Sequence, residues 1–313
     1  MKRFIVKLLI YSISLAVLCG IFLILPTPPK HTASLYFAAL QKDSLLEHTP
    51  APRIIFVGGS NVNFGLNSQI IKDSLGLNPI NTAINAEIGL KYMLDNTRLY
   101  LHSGDIVVLI PNYEQFFRDY NHVSYELAFS VYEVDLPKVK LFNFKQINNS
   151  IQYVGQFFNS KITLGNYFYA KNSKSPKERP LYAINSFNKY GDTDAHWDRT
   201  ISQIPAYETF AMEQYEPQAM AEIKKYDEEL KKLNCRLLIS YPVMEINAYH
   251  SVKNAIDSIS KDYQKYNLEI VGTPEKYVLP DSLIFNCVYH PLKSGVDKYT
   301  LMLAEDLKKA LTE

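Results

Sequence analysis

Gly58, Gly59 and Ser60 follow the apolar run Ile54 to Val57 without a break, an order of residue types suited to acyl transfer. A serine attacks a carbonyl only when a base takes its proton and fixed donors hold the oxyanion that forms. The two glycines permit a tight turn and a close backbone approach that side chains would obstruct. A base with matching placement is His290, in FNCVYHPLKSG (Phe285 to Gly295), a loop that leads into the last helical pattern. In a doubly wound sheet that loop falls at the same end as Ser60, so the two can meet although they lie far apart in sequence.

Positioning the serine requires a parallel sheet. Ile54 to Val57 and DIVVLI (Asp105 to Ile110) are short continuous apolar runs of the kind covered on both faces. Between them the pattern predicts a helix from Asn67 or Ser68 to Leu75 ended by Gly76, a strand over Pro79 to Ile84, and a helix over Gly89 to Leu101. Strand, helix, strand, helix, strand implies right-handed crossovers. From Asn112 to about Tyr207 the rhythm breaks into Tyr-, Phe- and Asn-rich sequence with a polar stretch at Lys171 to Arg179, which reads as an insertion over the sheet edge that holds Ser60. Most of its aromatics are expected to pack; Trp197, beside His196 and Asp198, is the candidate sugar platform. The rhythm returns with a helix over Pro217 to Leu233, a strand over Arg236 to Pro242, a helix over Glu245 to Tyr266, a short strand over Leu268 to Gly272 and a closing helix over Leu292 to Leu311. The expected fold is α/β: a doubly wound, flavodoxin-like parallel sheet of about five strands with helices on both faces and a large insertion after the third.

The 313 residues are 47% hydrophobic with a formal net charge of +1, enough for a substantial core and without the basic excess that nucleic-acid binding requires. Lys224, Lys225, Lys231 and Lys232 alternate with glutamates on what reads as a solvated helix face. Leu8 to Leu25 carries no charge, and Lys2, Arg3 and Lys7 flank its start. Residues 1–26 are therefore expected to be a single transmembrane signal anchor that meets the lipid bilayer through residues 4–25, with its amino end in the cytoplasm and the rest exported. A cleaved signal peptide is the rival, against which stand the length of the run and the lack of a clear small-x-small site. Leu18 before Cys19 argues against lipidation, and Cys235 and Cys287, near opposite ends of a parallel sheet, argue against a disulfide. No Cys and His spacing suggests zinc, and no cofactor is expected. Residues 27–52 read as a Pro-rich linker with a short amphipathic helix over Ser34 to Leu46, and 53–313 as the α/β domain.

At these residues the chain resembles the SGNH/GDSL hydrolase superfamily. GGS at Gly58 to Ser60 resembles the first sequence block of that family, NTAINAEIG (Asn81 to Gly89) the second, PNYEQF (Pro111 to Phe116) the third, and YHPLKSG (Tyr289 to Gly295) the fifth. The blocks are short, but they come in the family's order across most of the domain. The resemblance implies Ser60 as nucleophile, His290 as general base, and an oxyanion hole made by the Ser60 amide, the Gly89 amide and Asn112. The family has an aspartate three residues before the histidine. That position is Cys287 here, which leaves Asn286 or Asp281 to orient the imidazole and Glu114 or Asp119 as unconventional carboxylates. Ala86 stands where a second-block glycine is common, and Asn61 joins Trp197 as a candidate substrate contact.

More narrowly, GGSNVNFGLNSQII with GDIVVLIPNYEQF resembles membrane-anchored, exported SGNH-like proteins of bacterial cell envelopes. This implies a serine esterase or O-acyltransferase acting on acyl groups, foremost acetyl, of an envelope polysaccharide at the bacterial cytoplasmic membrane, beside a membrane-bound O-acyltransferase. The alternative from a different class is an inactive SGNH-fold scaffold or polysaccharide-binding partner. A phosphate-loop reading of GGSN lacks the lysine and glycine spacing it needs.

Overall fold

The computed structural model of the chain describes residues 2–168, 180–200 and 215–312. Helix α1 (Lys2–Ile24) is long and apolar enough to cross a membrane or to act as a signal sequence, and none of its apolar window is buried against the rest of the chain. Helix α2 (Ala38–His48) lies where the linker was expected, yet it packs as part of the domain. Its Ala38 and Leu46 are fully buried, and Lys42 Nζ donates to the carbonyls of Asn81 (3.2 Å), Ala83 and Gly191 (2.7 Å).

The sheet follows. Strand β1 (Arg53–Gly58) is buried at every residue and leads through α3 (Ser60–Gly65) and α4 (Ser68–Leu75) to β2 (Asn78–Asn81). Gly76 ends α4 with φ +70°, the left-handed cap that glycine adopts without penalty. Helix α5 (Leu90–Arg98) precedes β3 (Ile106–Ile110). In the insertion, α6 (Tyr125–Phe129) and α7 (Phe144–Ile162) bring the rings of Tyr125, Phe129, Tyr132 and Phe157 into one cluster with Phe129 and Phe157 buried at its centre, so these aromatics do pack. The polar stretch Lys171 to Arg179 and the insertion's end near Tyr207 lie outside the described residues. Helix α8 (Pro217–Lys232) then leads into β4 (Arg236–Ile239).

The four strands are parallel in the order β2-β1-β3-β4, with Gly58 opposite Ile110. The predicted fifth strand is reduced to one parallel bridge, Ile239 to Ile270, held by Ile239 N to Glu269 O and Val271 N to Ile239 O, both 2.8 Å. Gly272 at φ +76° turns the chain away, and Pro274 cannot donate to a ladder. The chain closes with a parallel two-residue pair, β5 (Met244–Glu245) and β6 (Val278–Leu279), the helix α9 (Ile246–Lys265), an antiparallel pair, β7 (Ile284–Cys287) and β8 (His290–Pro291), and α10 (Lys293–Thr312). Helix α4 packs on α10 and α5 on α8, two pairs that suit a sheet covered on both faces. At the end of the sheet remote from Ser60, the fully buried Arg53 guanidinium holds Asp105 (Nε to Oδ1 2.8 Å) and the carbonyls of Leu46 and Tyr100, joining α2 and β1 to the loop between α5 and β3.

Candidate active site

Ser60 stands at the carboxyl end of β1, as the first residue of α3. Both glycines before it are required by close approach. A Cβ on Gly58 would come 2.6 Å from the Ile110 carbonyl, and one on Gly59 would come 2.7 Å from Ala86 Cα and closer still to Asn112 Oδ1. Asn61 is fully buried and its side chain is committed to this turn: Oδ1 accepts from Gly59 N and Nδ2 donates to Ile110 O, each at 2.9 Å. It is therefore a clamp between β1 and β3, not the substrate contact expected from its place beside the serine. Asn63 does the same on the other side, donating to Ile84 O (3.0 Å) and accepting from Thr193 Oγ1 (2.8 Å).

Ser60 opens on a cavity of about 460 Å³, lined among others by Asn85, Ala86, Gly89, Asn112, Glu114, Arg118, Cys287 and Tyr289. The turn after β1, the second and third blocks and the loop before α10 thus meet around one space. Asn112 is buried, and its Oδ1 has no hydrogen-bond partner. Gly89 lines the cavity with φ +82°, but its amide donates to the Ala86 carbonyl at 3.0 Å and is not open to an oxyanion as expected. Ala86 is the better-placed amide: it starts the short turn Ala86–Ile88, where the first amide has no acceptor within the turn, and it lies against Gly59.

His290 is buried beside this cavity. Its ring stacks on Phe64, with centroids 4.2 Å apart and planes at 15°, and Phe64 is one helical turn after Ser60 on the same face of α3. His290 Nδ1 lies 2.9 Å from Asn286 Oδ1, and Asn286 Nδ2 donates to Tyr182 Oη at 2.9 Å. With the amide oriented in this way, Oδ1 can only accept, so Nδ1 carries the proton and Nε2 keeps its lone pair, the tautomer a general base needs. Nε2 is buried without a hydrogen-bond partner, so no bond joins it to Ser60 in this conformation. Burial, and next the neighbouring His196, push the imidazole down to about 3, which keeps it neutral. Asp281 is exposed in the short turn before β7 and is not the partner of His290; Asn286 is.

Two further groups complete the surroundings. Burial pushes the Glu114 carboxyl up to about 7, and Tyr289 Oη donates to it at 3.2 Å. The Cys287 thiol is also pushed up by burial, with Glu114 acting in the same sense. Asp119 lines the rim, bridged to Lys145 at 2.7 Å. Trp197 lies outside this cavity, under Lys293 Nζ at 4.7 Å from the ring centroid. Phe64, Tyr182 and Tyr289 were not singled out in the sequence. Phe64 was within reach, because a helix starting at Ser60 puts the fourth residue on over the same face.

No protein-family model matches the chain, and no curated protein matches it.

Proposed function

We propose that the chain is an SGNH-type serine esterase or O-acyltransferase, held at a bacterial cytoplasmic membrane by α1 and acting on ester-linked acyl groups, foremost acetyl, of an envelope polysaccharide. The observation that carries the reading is the contact of His290 Nδ1 with Asn286 Oδ1 at 2.9 Å, in a loop that shares a cavity with Ser60. Ser60 Oγ attacks the ester carbonyl while His290 Nε2 takes the hydroxyl proton. The Ser60 and Ala86 amides and Asn112 Nδ2 donate to the developing oxyanion. The tetrahedral intermediate expels the alcohol, which receives the proton from His290, and leaves an acyl-Ser60 ester. Water resolves that ester in an esterase, and a sugar hydroxyl in a transferase. The Ser60 to His290 hydrogen bond forms when substrate closes the site, as catalytic bonds often tighten only in the complex.

A specific observation favours a second reading, an inactive scaffold or polysaccharide-binding partner of a membrane-bound O-acyltransferase. Asn286 is neutral and stabilises an imidazolium less than a carboxylate would, while Nε2 makes no hydrogen bond to the serine. A fluorophosphonate probe separates the two. The enzyme reading expects a covalent adduct on Ser60 that is lost in Ser60→Ala and slowed in His290→Ala; a folded chain that never labels at Ser60 sinks it in favour of the scaffold.

A further inference from the structure

Helix α7 has an apolar edge that nothing in the described chain covers. Its buried side, Gln146, Ser150, Phe157 and Lys161, faces the insertion. Phe144, Ile147, Ile151 and Ile162 follow at three-, four- and eleven-residue steps along an adjoining edge, exposed by 86%, 42%, 60% and 43%. Leu164 and Phe168 prolong the exposed apolar surface past the helix end, at 71% and 81%. Asn148, Asn149, Gln152, Gln156 and Asn159 form the polar flank beyond it, so the apolar edge is a distinct stripe between the buried and the polar sides.

The position of α1 identifies what covers it. Helices α1 and α7 are in contact, and Lys161 Nζ, in the last turn of α7, donates to the carbonyl of Leu25 at 2.9 Å, directly after the apolar helix ends. Thr27 Oγ1 donates to the Glu133 carbonyl, and the buried Glu133 carboxylate pairs with Lys161 at 3.5 Å, so the exit of α1 is tied to α7 on two sides. An apolar helix of 23 residues spans about 35 Å at about 1.5 Å per residue, close to one hydrocarbon core, so Leu25 falls at the water boundary when α1 crosses a bilayer. The carboxyl end of α7 must then lie at that boundary too.

We propose that α7 lies along the membrane surface and inserts the edge formed by Phe144, Ile147, Ile151 and Ile162 into the leaflet on the side of the domain, as an interfacial amphipathic helix does. The inference rests on the reading of α1 as a membrane anchor. It has a consequence for the cavity, because the amino end of α7 is joined to the rim. Lys145 bridges Asp119, and Asn143 Nδ2 donates to Asn121 Oδ1 at 2.6 Å. A surface-lying α7 therefore holds the cavity mouth near the bilayer, within reach of substrates presented at its surface.

Tryptophan quenching tests this in the full chain. With the only native tryptophan removed as Trp197→Phe, single tryptophans are placed by Ile147→Trp and Ile151→Trp on the stripe, Gln152→Trp on the polar side, and Leu15→Trp in α1. Each variant is reconstituted in two sets of phosphatidylcholine–phosphatidylglycerol vesicles, one carrying bromine near the carbonyl end of the acyl chains, which reports on the α7 positions, and one carrying it near the methyl end, which reports on position 15 at the bilayer centre. The substituted side chains on α7 are exposed, so folding is preserved, and thermal melts verify it. Positions 147 and 151 are expected to be quenched at least about two-fold more than position 152, because only the apolar face enters the acyl boundary. Unquenched stripe positions with a quenched position 15 overturn the inference and leave the anchor standing, as would equal quenching at 151 and 152. An unquenched position 15 overturns the anchor reading itself.

Discussion

Asn286→Asp places a carboxylate where Asn286 Oδ1 now lies, 2.9 Å from His290 Nδ1. The substitution is nearly isosteric, and the Tyr182 hydroxyl can turn from acceptor to donor, so the new group keeps its second contact. At an effective dielectric constant of about 20 and a charge separation of about 4 Å, the carboxylate attracts an imidazolium by about 4 kcal/mol; halving this for the partial exposure of residue 286 leaves about 2 kcal/mol. At about 1.4 kcal/mol per pH unit, His290 moves from about 3 to about 4.5. The imidazole is unprotonated at neutral pH in both proteins, so the variant gains basicity without losing the active form. With roughly half of that gain expressed in the proton-transfer step, Ser60 should react about five-fold faster. The assay pairs an NMR titration of the His290 ring with the rate of fluorophosphonate labelling at Ser60. A ring that titrates higher as calculated, with an unchanged labelling rate, would refute the reasoning, because it would show that Ser60 does not hand its proton to His290.

Two other perturbations bear on the same cavity. Glu114 is raised from its ordinary 4.5 to about 7 by burial, so the folded chain keeps a proton that the unfolded chain releases. Its contribution to stability is greatest below pH 4.5 and falls as pH rises through about 7, by up to about 3 kcal/mol. Urea unfolding across that range should show a decline that Glu114→Gln flattens; equal slopes in the two proteins would exclude Glu114 as its source. Gly59→Ala pushes a methyl group against Ala86 and Asn112. It should cost about 1–3 kcal/mol in a thermal melt and abolish labelling even where the chain stays folded, since the turn that presents Ser60 must shift. Normal labelling in this variant would mean the turn tolerates the displacement.

The sheet was legible because its signals are local. Continuous apolar runs, an αL glycine after α4 and alternation of strand with helix follow from side-chain period and backbone freedom, and they placed β1, β3, β4 and their helices to within a few residues. The fifth strand misled because LEIVG has a strand's composition while its ladder is set by partners distant in sequence. At the site, the glycines and the shared position of Ser60, Asn112 and the final loop were readable as spacing. The donor and acceptor tasks were not. Gly89 and Asn61 look available in sequence, yet the Gly89 amide is satisfied within its own turn and the Asn61 side chain by its turn and by the Ile110 carbonyl of β3, atoms that only the folded backbone supplies. Asn286, with Asp281 as its alternative, was readable as a candidate, but only β7 placed the one beside the imidazole and left the other in solvent.

The spacing of the family aspartate sharpens the same point into a final test. Three residues before His290 stands Cys287, so Cys287→Asp would restore the usual pattern by sequence. The structure predicts that it fails. Neighbouring strand residues project to opposite sides; in β7, Asn286 points to His290 Nδ1, whereas Cys287 lines the Ser60 cavity and interacts electrostatically with Glu114. A carboxylate at 287 therefore raises Glu114 above about 7, because two like charges in one half-buried space resist joint ionisation, and it leaves the His290 ring unsupported. It also adds negative charge to the cavity that Ser60 lines. Labelling of Ser60 should slow in Cys287→Asp and quicken in Asn286→Asp. An acceleration in Cys287→Asp that matches the Asn286→Asp variant would show that the loop re-registers around the restored aspartate, and that Asn286 is not the residue holding the imidazole.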